Sequence, residues 1–282
     1  LKNTILVLLS ILFIWSCGSS DSNIDEDKTF NQKNDNYYTP KPLTSYNIVL
    51  GEDNIPTSYD AKIVELDSFD TSKELINTLQ KKGKKVFAYV SVGSWENYRE
   101  DKKDFPKQII GKIYPGWEDE KFLNIKEIDK LKPIMEKRFE MIREKGFIGV
   151  EADNLDIYTA DIGKNGTGFN ISLKDTKKYA DFLINLSHEK NLSIGQKNAP
   201  EFVEVYGDLF DWALLEDAFF EGYADKFEIY TKNNKAVFAI EYLDNTSKEV
   251  FLKNVCPQAK KLKFTAILKN RTLDALEYKC PR

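Results

Sequence analysis

The 282-residue chain predicts an α/β fold, a (β/α)8 TIM barrel with a reduced first βα connection. Three observations carry this expectation. Apolar runs of strand length alternate with amphipathic helical stretches along the globular part, which argues for a parallel sheet. The runs number eight within ~240 residues, the usual size of such a barrel. Acids, amides and aromatics gather where the runs end, which is the face on which these barrels do chemistry. A doubly wound open sheet is the alternative, but no Gly-rich dinucleotide loop follows the first run.

The elements follow in order. Residues 46–50 read as a first strand and 61–66 as a second, with too short a gap for a full helix. Residues 71–82 form a helix with Leu75, Ile76 and Leu79 on one face and Gly83 at its end. The third strand is 85–92, and a long loop carrying aromatics runs from it to about Asn124. A helix over 125–145 has Ile128, Leu131, Met135, Phe139 and Ile142 in register and closes at Gly146. Strand four is 147–152; a Gly- and Asn-rich loop and a helix over 173–190 lead to strand five at 192–197. Residues 208–215 approach strand six, 236–240 form strand seven and 264–268 strand eight, with helices over 223–233 and 247–258 between them.

The amino terminus is not expected to belong to the barrel. Lys2 precedes an apolar run from Ile5 to Trp15, short of the ~20 residues that span a membrane. A basic start, an apolar centre and then Ser16-Cys17-Gly18 resemble a bacterial lipoprotein signal. That resemblance implies cleavage after residue 16, a lipid on Cys17 and an exported protein anchored at the periplasm or cell surface. Residues 17–44, rich in Ser, Asp, Asn and Lys, read as a disordered tether, and 45–282 as the barrel domain. The net charge of −4 argues against nucleic acid as a partner. Besides Cys17, only Cys256 and Cys280 remain, which in an exported protein suggests one disulfide, with two reduced thiols as the alternative. Two cysteines and a single histidine, His188, argue against a zinc site, and no cofactor loop is present, so neither metal nor cofactor is expected.

Strand ends supply the candidate site. Strand two ends at Asp67, strand three carries Tyr89 and then Trp95, and strand four ends in Glu151, Asp153 and Asn154. Strand five ends in Lys197 and Asn198, strand six in Glu216 and strand seven in Glu241. Glu151 and Asp153 share a strand face, because side chains alternate. Paired carboxylates beside aromatics suit cleavage of a glycosidic bond: one acid protonates the leaving oxygen while the other attacks the anomeric carbon or activates water. Trp95 and Trp117 suit stacking on sugar faces.

The segments Tyr89-Val-Ser-Val-Gly-Ser-Trp-Glu-Asn-Tyr-Arg99, 116–125 and 146–158 resemble glycoside hydrolase family 114, as do Ser193-Ile-Gly-Gln-Lys-Asn198, Ala239-Ile-Glu-Tyr242 and the late cysteine pair. The resemblance implies an endo-α-1,4-polygalactosaminidase acting on a cationic, galactosamine-containing exopolysaccharide; apart from it, a monomer is expected. It implies Asp153 and Glu216 as the catalytic carboxylates. Asp67, Tyr89, Trp95, Glu151, Asn154, Lys197, Asn198 and Glu241 would contact the substrate. The chain departs from the family pattern at Ala152, Gln196 and Asp217. Some local alternatives stay open. Asp156 serves the site or caps its loop; Glu151 touches substrate or pairs with Lys197; Trp95 stacks on sugar or plugs the barrel. Trp212 reads as core, Arg99 as the partner of a loop acid, and His188 as a surface residue at a helix end. A surface lipoprotein that binds the same glycan without cutting it is the alternative function.

Overall fold

The structure is a computed structural model that describes residues 37–51 and 55–281. The expected signal segment 1–16, the lipidation residue Cys17 and the tether up to residue 36 lie outside the described residues. The first elements are β1 (Tyr46–Val49), β2 (Ile63–Asp67), α1 (Lys73–Lys81), β3 (Lys85–Ser91), β4 (Ser94–Glu96), β5 (Ile110–Tyr114) and β6 (Trp117–Leu123). Next come α2 (Ile128–Lys145), β7 (Gly149–Asp153), α3 (Leu173–Glu189), β8 (Ser193–Lys197), α4 (Pro200–Tyr206) and β9 (Trp212–Glu216). The last are α5 (Ala218–Glu221), α6 (Glu228–Lys232), β10 (Val237–Tyr242), α7 (Lys248–Val250), α8 (Cys256–Leu262), β11 (Thr265–Lys269) and β12 (Tyr278–Lys279). A π-helical turn, Phe251–Val255, joins α7 to α8.

Eight parallel strands curl into a TIM-like barrel in the order β1-β2-β3-β7-β8-β9-β10-β11. As the sequence predicts, β1 and β2 pair directly with no helix between them. Large side chains fill the floor of the barrel: Tyr46 stacks on Phe238 at 4.3 Å between ring centres, and Trp212 lies 5.1 Å from Phe87 and 5.7 Å from Phe238. Trp212 is therefore core, as expected. Gly195 makes room for it, since a Cβ there would sit 2.6 Å from the indole. A second, larger apolar layer between strands and helices takes the opposite parity, for example Val64, Leu66, Val150, Ala152 and Ala239.

Four features depart from the sequence reading. The expected loop from residue 93 to 124 holds a small antiparallel sheet, ordered β4-β6-β5, with Pro115-Gly116 at its hairpin turn. Its strands carry many charged and few aliphatic residues, so strand periodicity is faint. The folded domain also begins earlier than residue 45. Pro40 O accepts Ala236 N, the Tyr38 ring receives Lys85 at 5.1 Å, and Tyr37 stacks on His188 at 4.3 Å. His188 is thus a half-buried clamp bonded to Asp211 at 2.9 Å, not a plain surface residue. Among the described residues no ladder joins β11 to β1. The antiparallel β12 lies at that seam, where Asn47 reaches Glu277 at 3.2 Å and Lys269 reaches Asn47 at 3.1 Å.

Cys256 and Cys280 form a disulfide that ties α8 to the segment after β12. The bridged residues are 24 apart, and a closed loop of this length restricts the unfolded chain by about 3 kcal/mol. Cys280→Ser is expected to lower the free energy of unfolding by about that much, read from the midpoint and slope of a denaturant titration, with a steeper slope because the unfolded chain expands. An unchanged free energy would show that the bridge contributes nothing to stability.

Candidate active site

Alternation along the strands decides which side chains enter the barrel mouth. On β7, Glu151 and Asp153 point inward with Gly149; on β8, Lys197 follows Gly195; on β9, Glu216 follows Trp212 and Leu214; on β10, Tyr242 follows Phe238 and Ile240. These inward residues meet on one ammonium. Lys197 Nζ lies 2.6 Å from Glu151 Oε1, 3.2 Å from Asp153 Oδ1 and 3.1 Å from Glu216 Oε2. Asp153 and Glu216 are therefore brought together. A shared ammonium this close caps the separation of those two oxygens at about twice its distance to Asp153.

Hydroxyls complete the arrangement. Tyr89 donates its phenol to Asp153 Oδ2 at 3.0 Å, and the Tyr242 phenol bonds Glu216 Oε1. Burial pulls the Lys197 ammonium toward neutrality, but Asp153, Glu151 and Glu216 outweigh it and hold its pKa well above the ordinary lysine value. Burial pushes the Glu216 carboxyl up, yet Lys197 and the Tyr242 phenol prevail and hold it below the ordinary range. Two further acids border the cluster. Asp156, on the turn after β7, is pushed up to about 7 by burial and by the charge of Asp153. Glu120, on β6, is also pushed up to about 7, mainly by burial, although its Oε2 accepts the Ser94 hydroxyl at 2.5 Å.

The backbone leaves β7, β8 and β9 through non-glycine residues in the left-handed region: Asn154 at φ 65°, Asn198 and Ala199 at 44° and 63°, and Asp217 at 50°. Such turns persist only where their surroundings hold them. Asn154 donates to Ser91 Oγ at 2.9 Å, and its carbonyl lies where any side chain on Gly93 would come within 1.8 Å. Asn198 Oδ1 accepts Glu216 N at 2.8 Å and the Tyr223 hydroxyl at 3.1 Å. Gln196, on the outer face of β8, donates to both Asn198 O and Ala199 O, at 2.8 and 3.2 Å. Asn154 and Asn198 thus hold the ends of β7, β8 and β9 in place with side chains already engaged within the protein.

Two expected substrate contacts are corrected. Asp67 is clasped by Arg99 through paired bonds of 2.9 and 2.7 Å and also accepts the amides of Phe69 and Asp70. Its carboxylate is fully occupied in closing a loop. Glu241 points out of the barrel between Ala239 and the helices. There it accepts Phe219 N at 2.9 Å and Phe220 N at 3.1 Å at the start of α5. The parity of Phe238, Ile240 and Tyr242 is the signal that places Glu241 outside. Trp95 donates its indole N–H to Lys102 O at 3.0 Å and lies on the face of the small sheet opposite Ser94 and Glu96. Trp117, at the hairpin tip, is 61 % exposed. Glu151 pairs with Lys197, the bland alternative of the sequence reading. Glu120 is a site residue that the strand-end reading did not single out, and Tyr242, which closes the same run as Glu241, is the one of the two that reaches the site.

Comparison with known proteins places this geometry. The family description "Glycoside-hydrolase family GH114" matches residues 27–282. The crystal structure of Aspergillus fumigatus Ega3 in complex with galactosamine is similar at 32 % identity and a TM-score of 0.76, over 86 % of this chain and 97 % of that one. The glycoside hydrolase domain of PelA from Pseudomonas aeruginosa shares the fold at 13 % identity and a TM-score of 0.66, over 85 % of this chain and 99 % of that one. No curated protein matches the chain in sequence. With every described residue inside the matched range, the chain belongs to glycoside-hydrolase family GH114.

Proposed function

We propose that the protein is an endo-acting glycosidase that cleaves α-1,4-linked galactosamine in an exopolysaccharide, with Asp153 as nucleophile and Glu216 as general acid and base. The observation that carries this reading is the single Lys197 ammonium within 3.2 Å of both carboxylates. It bounds the separation of the two bridged oxygens below the ~6.5–9.5 Å that leaves room for an inverting water, which favours the closer arrangement of retaining glycosidases. Asp153 is oriented by Tyr89 and Lys197 for attack, while Glu216, ionised as long as Lys197 and the Tyr242 hydroxyl donate to it, takes up a proton from water as the entering sugar loosens those bonds, gives it to the leaving oxygen and takes one back from the attacking water. Lys197 donates only hydrogen bonds and charge, and holds both carboxylates against the displacement that their repulsion favours.

Substrate choice follows from charge. Glu151, Asp153 and Glu216 outnumber the one ammonium among them, and Asp156 and Glu120 add negative charge as pH rises past about 7, so the mouth attracts an amino sugar in its protonated form. Ega3, which shares 32 % identity, is known bound to galactosamine, which supports the same sugar here. The sequence reading of Cys17 as a lipidated residue puts this activity at the outside of a membrane.

The test is hydrolysis of partly deacetylated polygalactosamine followed by proton NMR. New reducing ends are expected to appear first as the α anomer, retaining the configuration of the cleaved bond. Initial appearance of the β anomer would remove Asp153 as nucleophile. Binding without any new reducing ends would leave a glycan-binding protein in place of the enzyme.

A further inference from the structure

The barrel holds an acid that this chemistry leaves unused. Glu65, in the middle of β2, is fully buried, as is Glu151 on β7. β2 and β7 both flank β3, and both side chains point into the barrel, so the two carboxyls reach the same layer. Glu65 Oε2 accepts the Tyr46 hydroxyl at 3.0 Å, and Glu151 Oε1 accepts Lys197 Nζ at 2.6 Å. Glu65 Oε1 and Glu151 Oε2 are sealed from solvent and receive no N–H or O–H from any other described residue. The two carboxyls are neighbours in that layer, and the charge of Glu151 acts directly on Glu65. Two carboxylates side by side offer only acceptors, so the two orphaned oxygens are satisfied together only if one acid keeps a proton. Buried side by side, both acids are also displaced upward by burial, Glu65 well above the ordinary range.

We infer that Glu65 holds this proton and donates it to Glu151, so that Glu151 stays ionised as the permanent counter-charge of Lys197. The partners decide which acid is neutral. Glu151 faces an ammonium, which favours a carboxylate; Glu65 faces a phenol, which stabilises charge far less. The other titratable groups facing the pair are Asp153 of β7 and, on β10, Tyr242, and neither supplies positive charge. This inference rests on the reading of Asp153 and Glu216 as the catalytic pair, and it explains a need of that chemistry. Asp153 loses its charge when it bonds the sugar, and Glu216 alternates between acid and base. Glu151 is the one neighbour of Lys197 whose charge stays constant, which keeps the ammonium anchored through both steps. Glu65 acts through Glu151 and is a positioning residue.

Two isosteric variants and one spectrum test this. Glu65→Gln imitates the neutral acid: its amide N–H donates to Glu151 and its oxygen accepts from Tyr46. The variant is expected to keep kcat within about threefold of wild type, whereas Glu151→Gln, which strips Lys197 of its constant partner, loses about 100-fold or more. The infrared difference spectrum of wild type against Glu65→Gln, taken without substrate, is expected to show the C=O stretch of a protonated carboxylic acid. In wild type that stretch persists past neutral pH. Absence of the stretch overturns the inference, as does a Glu65→Gln loss equal to that of Glu151→Gln. A benign Glu151→Gln beside a crippled Glu65→Gln overturns it too, by moving the proton to Glu151. The infrared measurement needs no turnover, so a protein that fails to hydrolyse the polymer would end the catalytic reading while the spectrum still locates the proton.

Discussion

Asp153→Asn is expected to lower kcat on polygalactosamine by about 10,000-fold or more while the polymer still binds. The amide keeps the shape of the group and can still accept the Tyr89 hydroxyl, now 3.0 Å from Oδ2, so the barrel mouth stays assembled. What disappears is the electron pair that attacks the anomeric carbon and the negative charge that steadies the cationic transition state. Glu216→Gln fails differently. It loses the proton donor, so it should recover part of its rate on glycosides whose leaving group needs no proton, which Asp153→Asn does not. Reducing-end assays on both kinds of substrate, with calorimetric titration of the polymer, check this. Activity within tenfold of wild type in Asp153→Asn would exclude it as nucleophile.

Lys197→Met should cost about 3–5 kcal/mol of stability near pH 7, because it leaves Glu151, Asp153 and Glu216 facing one another in a largely buried mouth with no cation. The pH dependence should also change sign for this part of the molecule. In wild type, Glu216 has a depressed folded pKa, so its contribution is present above the unfolded value and is lost as pH falls through the folded one. Without Lys197 the main cause of that depression is gone, and burial, which raises the carboxyl, prevails. The folded state then binds more protons than the unfolded state, and stability falls as pH rises from about 4 toward 7. Urea unfolding of the variant should therefore show recovery in mild acid. A small loss that does not vary with pH would mean the ammonium is replaceable by solvent.

The barrel was legible because helix and strand periods differ and alternate along the chain, and because Asp153 and Glu216, the acids proposed to be catalytic, each close an apolar run. What was not legible has identifiable causes. Asp67 and Glu241 also close apolar runs, but only a partner distant in sequence, Arg99 or the amides of α5, reveals that each is structurally engaged. Glu241 could have been set aside from parity, since the bulky Phe238, Ile240 and Tyr242 take the inner face. Glu65 escaped because attention to strand ends passes over mid-strand residues, although it alternates inward with Ile63. Gln196, a departure from the family pattern, has a use that spacing alone does not disclose: one amide holds two carbonyls of a left-handed turn.

The way Tyr37 and Pro40 join the barrel floor has a practical corollary. They meet His188 at the carboxyl end of α3 and Ala236 before β10, at the pole opposite the acids. A bead, a resin or a fused carrier coupled upstream of Tyr37 would thus hold the domain by its underside. Immobilised in that way, it should still work on long polymer chains, which would reach the catalytic opening from the free side.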